Sequence, residues 1–375
     1  MFQKHTNFYE MLREIINKSE LTIYSLSAYS GVNRTTLQKA LSGTRVLSEE
    51  HFAKIYPFLQ LTPSESNTLI KLYQIQKIGF SAYYKCEYIK NLLEDLTTEY
   101  KSTTTFHTDS ILNLIYQQAY DSIYNTAPLD IYLFAPFDDS FVADILSLFD
   151  TDTFKTVHIT HLIPFIKNTK DNDASTLHNI KMLTHILPFY LQHPNTYTVK
   201  YYYEETALSD THILFPYYLI INDYVMLLSG NYQNTILLDT KAVDYYKQSF
   251  LKNIKHGNSL FQCKNKLFVS DNFAGLFTPE SYKKYQHNRQ TDASISSEIF
   301  IANTANFVFR ENMCIFLTQK DVWIILFSKT DQKFLTIQET SILLAFSEFF
   351  KHGTELHYIF SAQNMHDLII DKPHP

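Results

Sequence analysis

Apolar residues recur at helical spacing through the first eighty positions of the chain and change to a strand-and-helix rhythm beyond residue 106. Phe8 to Lys18 carries Tyr9, Leu12, Ile15 and Ile16 at the i, i+3, i+4 spacing of a helix with one apolar face. In Leu21 to Ser48 the pattern predicts two short helices and a tight turn. Thr22 caps a helix running to about Tyr29, with Ile23 and Leu26 inward. Gly31 supplies the positive φ of a sharp turn, and Val32 plugs the angle. Asn33 caps a second helix, Arg34 to about Leu41, whose Leu37 and Leu41 share a face, and Gly43 ends it. Ser48 starts a fourth helix through Phe52 and Ile55 that Pro57 stops. Thr62-Pro63-Ser64-Glu65 is a capping box with proline at the first helical position. The fifth helix then runs to about Lys77 with Leu69, Leu72, Tyr73 and Ile75. Residues 1–79 are therefore expected to form an all-α domain.

Ser81 to Tyr100 predicts another helix, carrying Tyr84, Ile89, Leu92, Leu93 and Leu96. It runs into a polar, threonine-rich patch, so residues 80–105 read as a linker helix. Beyond it the expected helices are Ser110–Tyr124, Phe141–Phe149, Asp173–Gln192 (interrupted at Pro188) and Thr240–Ile254. Strands are expected at Ile131–Ala135, Thr156–Ile163, Tyr197–Tyr203, Ile213–Ile221, Tyr224–Leu228 and Ile236–Leu238, with Asn222-Asp223 as a hairpin turn. Such alternation predicts an α/β region. An internal echo divides it: residues 225–254 align without gaps on 324–353, sharing Ser229/Ser328, Gln233/Gln332, Phe250/Phe349 and Lys252/Lys351. The order strand, turn, strand, helix is shared as well, which reads as two duplicated α/β halves, 106–256 and 257–375. The chain is thus expected to be multidomain, an all-α N-terminal domain followed by an α/β C-terminal region.

The outward face of the second short helix is polar and basic: Arg34, Thr35, Gln38 and Lys39, with Ser42, Thr44 and Arg45 just after it. Such a face can hydrogen-bond base edges while its ends meet phosphates. Leu26-Ser27, Gly31 to Leu37 and Leu41 to Arg45 resemble the Cro-type (XRE) family of lambda-repressor-like helix-turn-helix domains, over about residues 8–78. The resemblance implies that the second helix enters the DNA major groove. It implies that Arg34, Thr35 and Lys39 read bases and that Thr22, Thr36, Ser42 and Arg45 touch the backbone. Gln38, on the same outward face, completes the expected DNA-binding set. Two positions depart from the family pattern. Ile23 stands where a polar phosphate-binding residue is usual, and Ala40-Leu41 replaces the frequent pair before the glycine turn. The bland alternative is a helical hairpin that never meets DNA.

Charge sharpens the division. Residues 1–79 hold nine Lys/Arg against six Asp/Glu (+3), leaving 23 against 32 (−9) in the remainder. A phosphate backbone would repel the acidic part, so DNA contact is expected in the N-terminal domain alone. Tyr and Phe are abundant, 27 and 29 against one Trp, which fits AT-rich coding better than a binding platform. Of seven glycines none falls between Gly79 and Gly230, which excludes a glycine-rich phosphate cradle there. Cys86, Cys263 and Cys314 form neither a disulfide framework nor a zinc pattern. The first residues lack an apolar core and no run approaches the ~18 apolar residues of a membrane span. A cytoplasmic protein without membrane partners is the expectation.

Candidate chemistry is sparse. His158 and His161 sit on opposite faces of one expected strand, and His178 and His185 can share a helix face near Asp171 and Asp173. No HExxH, HxH or CxxC accompanies them, so neither metal nor cofactor is expected. Asp138-Asp139, Asp150/Asp152 and Glu204-Glu205 fall beside element ends, where carboxylates cap and solvate. Nothing suggests a nucleophile. Paired α/β halves are similar in architecture to phospholipase-D-like sensor modules, but His178-Asn179-Ile180-Lys181 approaches their HxK signature without its downstream Asp. A cleft where the halves meet is expected near Ala135-Pro136-Phe137, Leu162-Ile163-Pro164, Ser229 and Ser328. Taken together the chain reads as a non-enzymatic transcriptional regulator. It would bind a double-stranded operator as a homodimer, its C-terminal region dimerising and sensing a cytoplasmic small-molecule or protein effector. The alternatives are an adaptor or immunity/antitoxin regulator gripping a partner protein, and an enzyme fused to a DNA-targeting domain.

Overall fold

In a computed structural model the chain divides into two compact units, Met1–Tyr84 and Lys85–Pro375. The structure describes residues 7–19, 21–96, 110–124, 128–136, 142, 144–145, 157–167, 173–193, 195–205, 213–230, 234–238, 240–264, 272–288, 297–327 and 332–362.

The first unit is helical: α1 (Phe8–Lys18), α2 (Ile23–Ser30), α3 (Arg34–Leu41), α4 (Glu49–Ile55), a 3-10 turn (Tyr56–Phe58) and α5 (Pro63–Ile78). Each start carries its cap. The side chains of Asn7, Thr22, Asn33, Ser48 and Thr62 accept from the backbone N–H of Glu10, Ser25, Thr35, His51 and Glu65. Phe8, Leu12, Leu26, Val32, Leu37, Ile55, Leu59 and Leu69 form the buried centre. Phe52 stacks on Tyr73 with ring centroids 4.2 Å apart, and the Tyr73 hydroxyl donates to the Leu47 carbonyl at 3.0 Å. The buried face of α1 is Phe8, Met11, Leu12, Ile15 and Ile16, so Phe8 and Met11 join it while Tyr9 is only half-buried. Tyr9 turns aside to lie against Gly43.

A sixth helix, α6 (Phe80–Asp95), crosses the boundary between the units. Beyond Tyr84 it is core: Cys86, Ile89, Leu92 and Leu93 are fully buried. The Cys86 thiol meets the Glu348 carbonyl at 3.4 Å, Glu94 accepts from the Val308 N–H at 3.3 Å, and Tyr358 donates to the Glu87 carboxylate. The stretch expected as a linker therefore belongs, in its C-terminal part, to the second unit. Its last residues, 97–105, lie outside the described ones.

The second unit contains α7 (Ser110–Tyr124) and two seven-stranded mixed sheets. The first sheet uses β1 (Leu129–Phe134), β2 (Val157–Ile166), β3 (Tyr197–Glu204), β4 (Tyr217–Ile221), β5 (Tyr224–Leu228), β6 (Thr235–Leu238) and β7 (Asn258–Ser259). Helices α8 (Asp173–Gln192) and α9 (Thr240–His256) belong with it. Its order is β6-β5-β4-β1-β2-β3-β7. The second sheet uses β8 (Gln262–Lys264), β9 (Phe273–Phe277), β10 (Ser297–Ala302), β11 (Met313–Leu317), β12 (Val322–Phe327), β13 (Gln332–Ile337) and β14 (Ile359–Ser361), with α10 (Pro279–Asn288) and α11 (Thr340–His352). Its order is β14-β10-β9-β11-β12-β13-β8.

The two sheets share a plan. In each, the first long strand pairs in parallel with the next (β1 with β2, β9 with β10). On its other edge that strand meets an antiparallel three-strand meander (β4-β5-β6, β11-β12-β13), and a helix follows. They differ at the rims: β3 joins β2 in parallel whereas β14 joins β10 antiparallel, and β8 covers β13. Because β7 pairs with β3, the first sheet extends past residue 256 to Ser259.

Two expectations shift. Strand β4 begins at Tyr217 rather than Ile213, because Pro216 precedes it and Leu214 is 80% exposed. Pro188 is accommodated inside α8. The Asn222-Asp223 turn manages without glycine because Asn222 itself takes φ 48°. The helix expected over 141–149 lies mostly outside the described residues.

Where the halves meet, α8 packs on α11. Buried Asn179 of α8 binds both backbone groups of Ile166 at 2.9 Å and donates to Ser341 Oγ at 3.2 Å. Ser341 donates in turn to the Glu339 carboxylate, which caps α11 through the Ile342 N–H and accepts from the Tyr203 hydroxyl at 2.7 Å. Every member of this buried polar chain has a partner, as a low-dielectric seam requires.

Candidate nucleic-acid interface

The local geometry around α2 and α3 is over-determined. Gly31 closes α2 in the left-handed region (φ 68°), with space around it. Ser27 Oγ donates to the Val32 carbonyl at 2.7 Å and Ser30 Oγ accepts from the Val32 N–H at 3.2 Å, so side chains fasten both sides of the turn. Val32 is buried beneath it. At the far end of α3 the Lys39 carbonyl accepts from the N–H groups of Thr44 and Arg45 (3.0 and 3.2 Å) and from the hydroxyls of Ser42 and Thr44 (3.0 and 3.1 Å). Arg13 of α1 donates to the Leu41 carbonyl at 2.7 Å, tying the same end to the core.

This frame presents the residues singled out from sequence. Arg34 and Gln38 are four apart on α3, as are Thr35 and Lys39, and all four are exposed. Ser42 and Arg45 follow, also exposed, and Thr36 is half-buried. Thr22 is exposed at the start of α2 and is engaged in its capping box with Ser25, at 2.9 and 3.0 Å. Ile23 is partly buried against the core.

The electrostatics of this face were not evident from composition. Residues 21–48 contain no carboxylate, and their three cations are Arg34, Lys39 and Arg45. Elsewhere in the first unit every described cation has a partner. Lys18 pairs with Glu14 (2.9 Å), Lys54 with Glu50 (2.6 Å) and Lys77 with Glu49 (3.3 Å). Arg13 holds the Leu41 carbonyl and Lys71 lies over the Tyr84 ring at 5.1 Å. Among the described residues, Arg34, Lys39 and Arg45 are in no ion pair. The i, i+4 spacing of Glu14–Lys18 and Glu50–Lys54 is the signal in the sequence from which part of this contrast was already readable.

The other candidates separate. His161 is buried on β2, its Nε2–H donating to the Ala135 carbonyl at 2.8 Å and its Nδ1 accepting from the Tyr197 hydroxyl at 2.7 Å. Burial pushes its pKa down to about 4, so it is a neutral core histidine. His158, on the opposite face, is exposed. His178 and His185 both lie on α8, His185 exposed. Asp171, Asp138-Asp139, Asp150 and Asp152 fall outside the described residues, and among those described no group of three metal-capable side chains occurs. Burial is also the leading cause that pushes Cys86 up to about 12 and raises Cys314 above its ordinary range.

Of the expected cleft lining, Ala135, Pro136, Leu162, Ile163, Pro164 and Ser229 are buried in the sheet core, and Phe137 and Ser328 lie outside the described residues. A groove of about 540 Å³ opens instead in the second half, between the starts of β9 and β10, the end of β11 and the Thr340, Leu343, Leu344 and Ser347 side of α11. No described helix is long and apolar enough to cross a membrane.

No protein-family profile matches the chain, and no curated protein does. Among solved structures it is similar to the polyphosphate kinase of Porphyromonas gingivalis, at 7% identity and a TM-score of 0.25. The match covers 66% of this chain and 49% of the kinase, so the chain spans about half the length of that protein. A likeness this slight carries no argument about the fold or activity of this chain.

Proposed function

We propose that the chain is a sequence-specific DNA-binding transcriptional regulator. In this reading α2, the Gly31 turn and α3 form a helix-turn-helix of the Cro-type (XRE) kind that the sequence resembles. The observation that carries it is the selective pairing of charge: the described cations of the first unit are engaged except the three around α3. Unpaired cations on a rigid, carboxylate-free face are available to release counterions from phosphate. Arg34, Thr35, Gln38 and Lys39 would read base edges, while Thr22, Thr36, Ser42 and Arg45 would hold the backbone. The α/β unit would dimerise and bias operator affinity through a cytoplasmic effector, since half-sites about one helical turn apart need two recognition helices at fixed spacing.

Fluorescence anisotropy of the full chain on a labelled duplex from its own promoter tests this. Binding should weaken steeply between low and moderate salt. Arg34→Ala and Lys39→Ala should each lower affinity about tenfold or more. No binding at low salt, or binding indifferent to both substitutions, refutes the reading.

A further inference from the structure

The two sheets solve the same edge differently. In the second, the last meander strand β13 is covered on its outer edge by β8, with Phe334 opposite Lys264, Leu335 opposite Cys263 and Thr336 opposite Gln262. Its counterpart β6 occupies the same place in the first sheet, paired inward with β5 from Val225–Leu238 to Leu228–Thr235. Among the described residues no strand pairs with its outer edge. Ile236 and Leu237 there are 40% and 50% exposed.

Neighbouring strand residues face opposite sides of a sheet, so this edge is apolar on both faces. Sheet edges are ordinarily protected by charge, proline or a bulge, or are kept very short. Of the four strands that end the two sheets, β7 has two residues, β14 three, and β8 three with Lys264 at its end. β6 is the longest of them, and its sequence Thr-Ile-Leu-Leu holds neither charge nor proline.

We propose that β6 pairs antiparallel with β6 of a second copy of this chain, joining the first sheets of two subunits across a two-fold axis. That the edge takes a strand is indicated by β8 on β13 within the same chain. That the strand is its own copy follows from closure: an antiparallel strand paired with itself satisfies the outer edge of β6 in both copies with one dyad and leaves only the two-residue β7 ends. An uncharged strand brings no like charges together in doing so. The inference rests on the dimeric part of the proposed function and says where the dimer forms.

Sedimentation equilibrium of the full chain reads it directly. Wild type should approach twice 43.9 kDa, and Ile236→Lys/Leu237→Lys should return to 43.9 kDa with an unchanged circular dichroism spectrum. Should that variant misfold, amide exchange in wild type decides: protection at Thr235–Leu238 should fall on dilution. A wild type that stays monomeric overturns the proposal, as does a dimer indifferent to the double substitution or to dilution at those amides. DNA binding fails or succeeds separately. Arg34→Ala should lower operator affinity about tenfold or more while leaving the mass doubled, and a β6-dependent dimer that ignores DNA would leave this proposal standing while the regulator reading fell.

Discussion

Gly43 sits under the ring of Tyr9: a Cβ built at Gly43 would lie 2.9 Å from two carbons of that ring, at a backbone φ of 75°. Two penalties coincide there, a left-handed conformation and an occupied space. At Gly31 only the first applies, since φ is 68° and nothing stands within 4 Å. Gly43→Ala should therefore cost about 2–3 kcal/mol and Gly31→Ala about 1 kcal/mol. Thermal melts of the two variants check the ranking, and equal losses would refute the close approach of Tyr9.

His161 gives a pH signature. Its folded pKa, about 4, lies below the ordinary 6.5, so the unfolded chain binds the extra proton between these values. Stability contributed by the neutral ring is complete above about pH 6.5 and declines as pH falls toward 4. A shift of this size corresponds to at most about 3 kcal/mol. Urea unfolding at pH 7 and pH 5 should show the decline, and His161→Gln should flatten it, whatever that substitution costs at pH 7.

Glu339 is buried at the seam of the two halves, accepting from the Tyr203 hydroxyl, Ser341 and the Ile342 N–H. Removing it strands the buried Ser341 hydroxyl and Ile342 N–H and unpairs the part-exposed Tyr203 hydroxyl, so Glu339→Ala should destabilise by about 3 kcal/mol. Tyr203→Phe deletes one partner and should cost about 1 kcal/mol. In the double variant the two losses should add to less than their sum, and strict additivity in a double-mutant cycle would deny the bond.

Surface substitutions on the α3 face should separate binding from stability. Arg34→Ala and Lys39→Ala remove exposed side chains with no ion pair among the described residues, so unfolding free energies should change by less than about 0.5 kcal/mol. A large stability loss would mean that these residues are structural.

Local signals were legible in the sequence because they act over a few residues. The caps Thr22, Asn33, Ser48 and Thr62, the turn at Gly31 and the inward Leu26 and Leu37 all follow from side-chain spacing and backbone sterics. The outward set Arg34, Thr35, Gln38 and Lys39 follows from the same helical period. The shared plan of the two sheets was foreshadowed by the 99-residue echo, since β5, β6 and α9 fall on β12, β13 and α11 at that offset. What the period could not convey was which partners distant segments choose. The helix carrying Cys86, Ile89, Leu92 and Leu93 looks like a linker until the fold buries those four side chains and hydrogen-bonds Cys86 to Glu348 and Glu94 to Val308. Ala135 and Leu162 look like a cleft until the packing of β1, β2 and their neighbours fills it. Pairing is decided by surfaces brought together from far along the chain, and the tertiary structure alone decided that β13 is covered by β8 while, among the described residues, no strand pairs with the outer edge of β6.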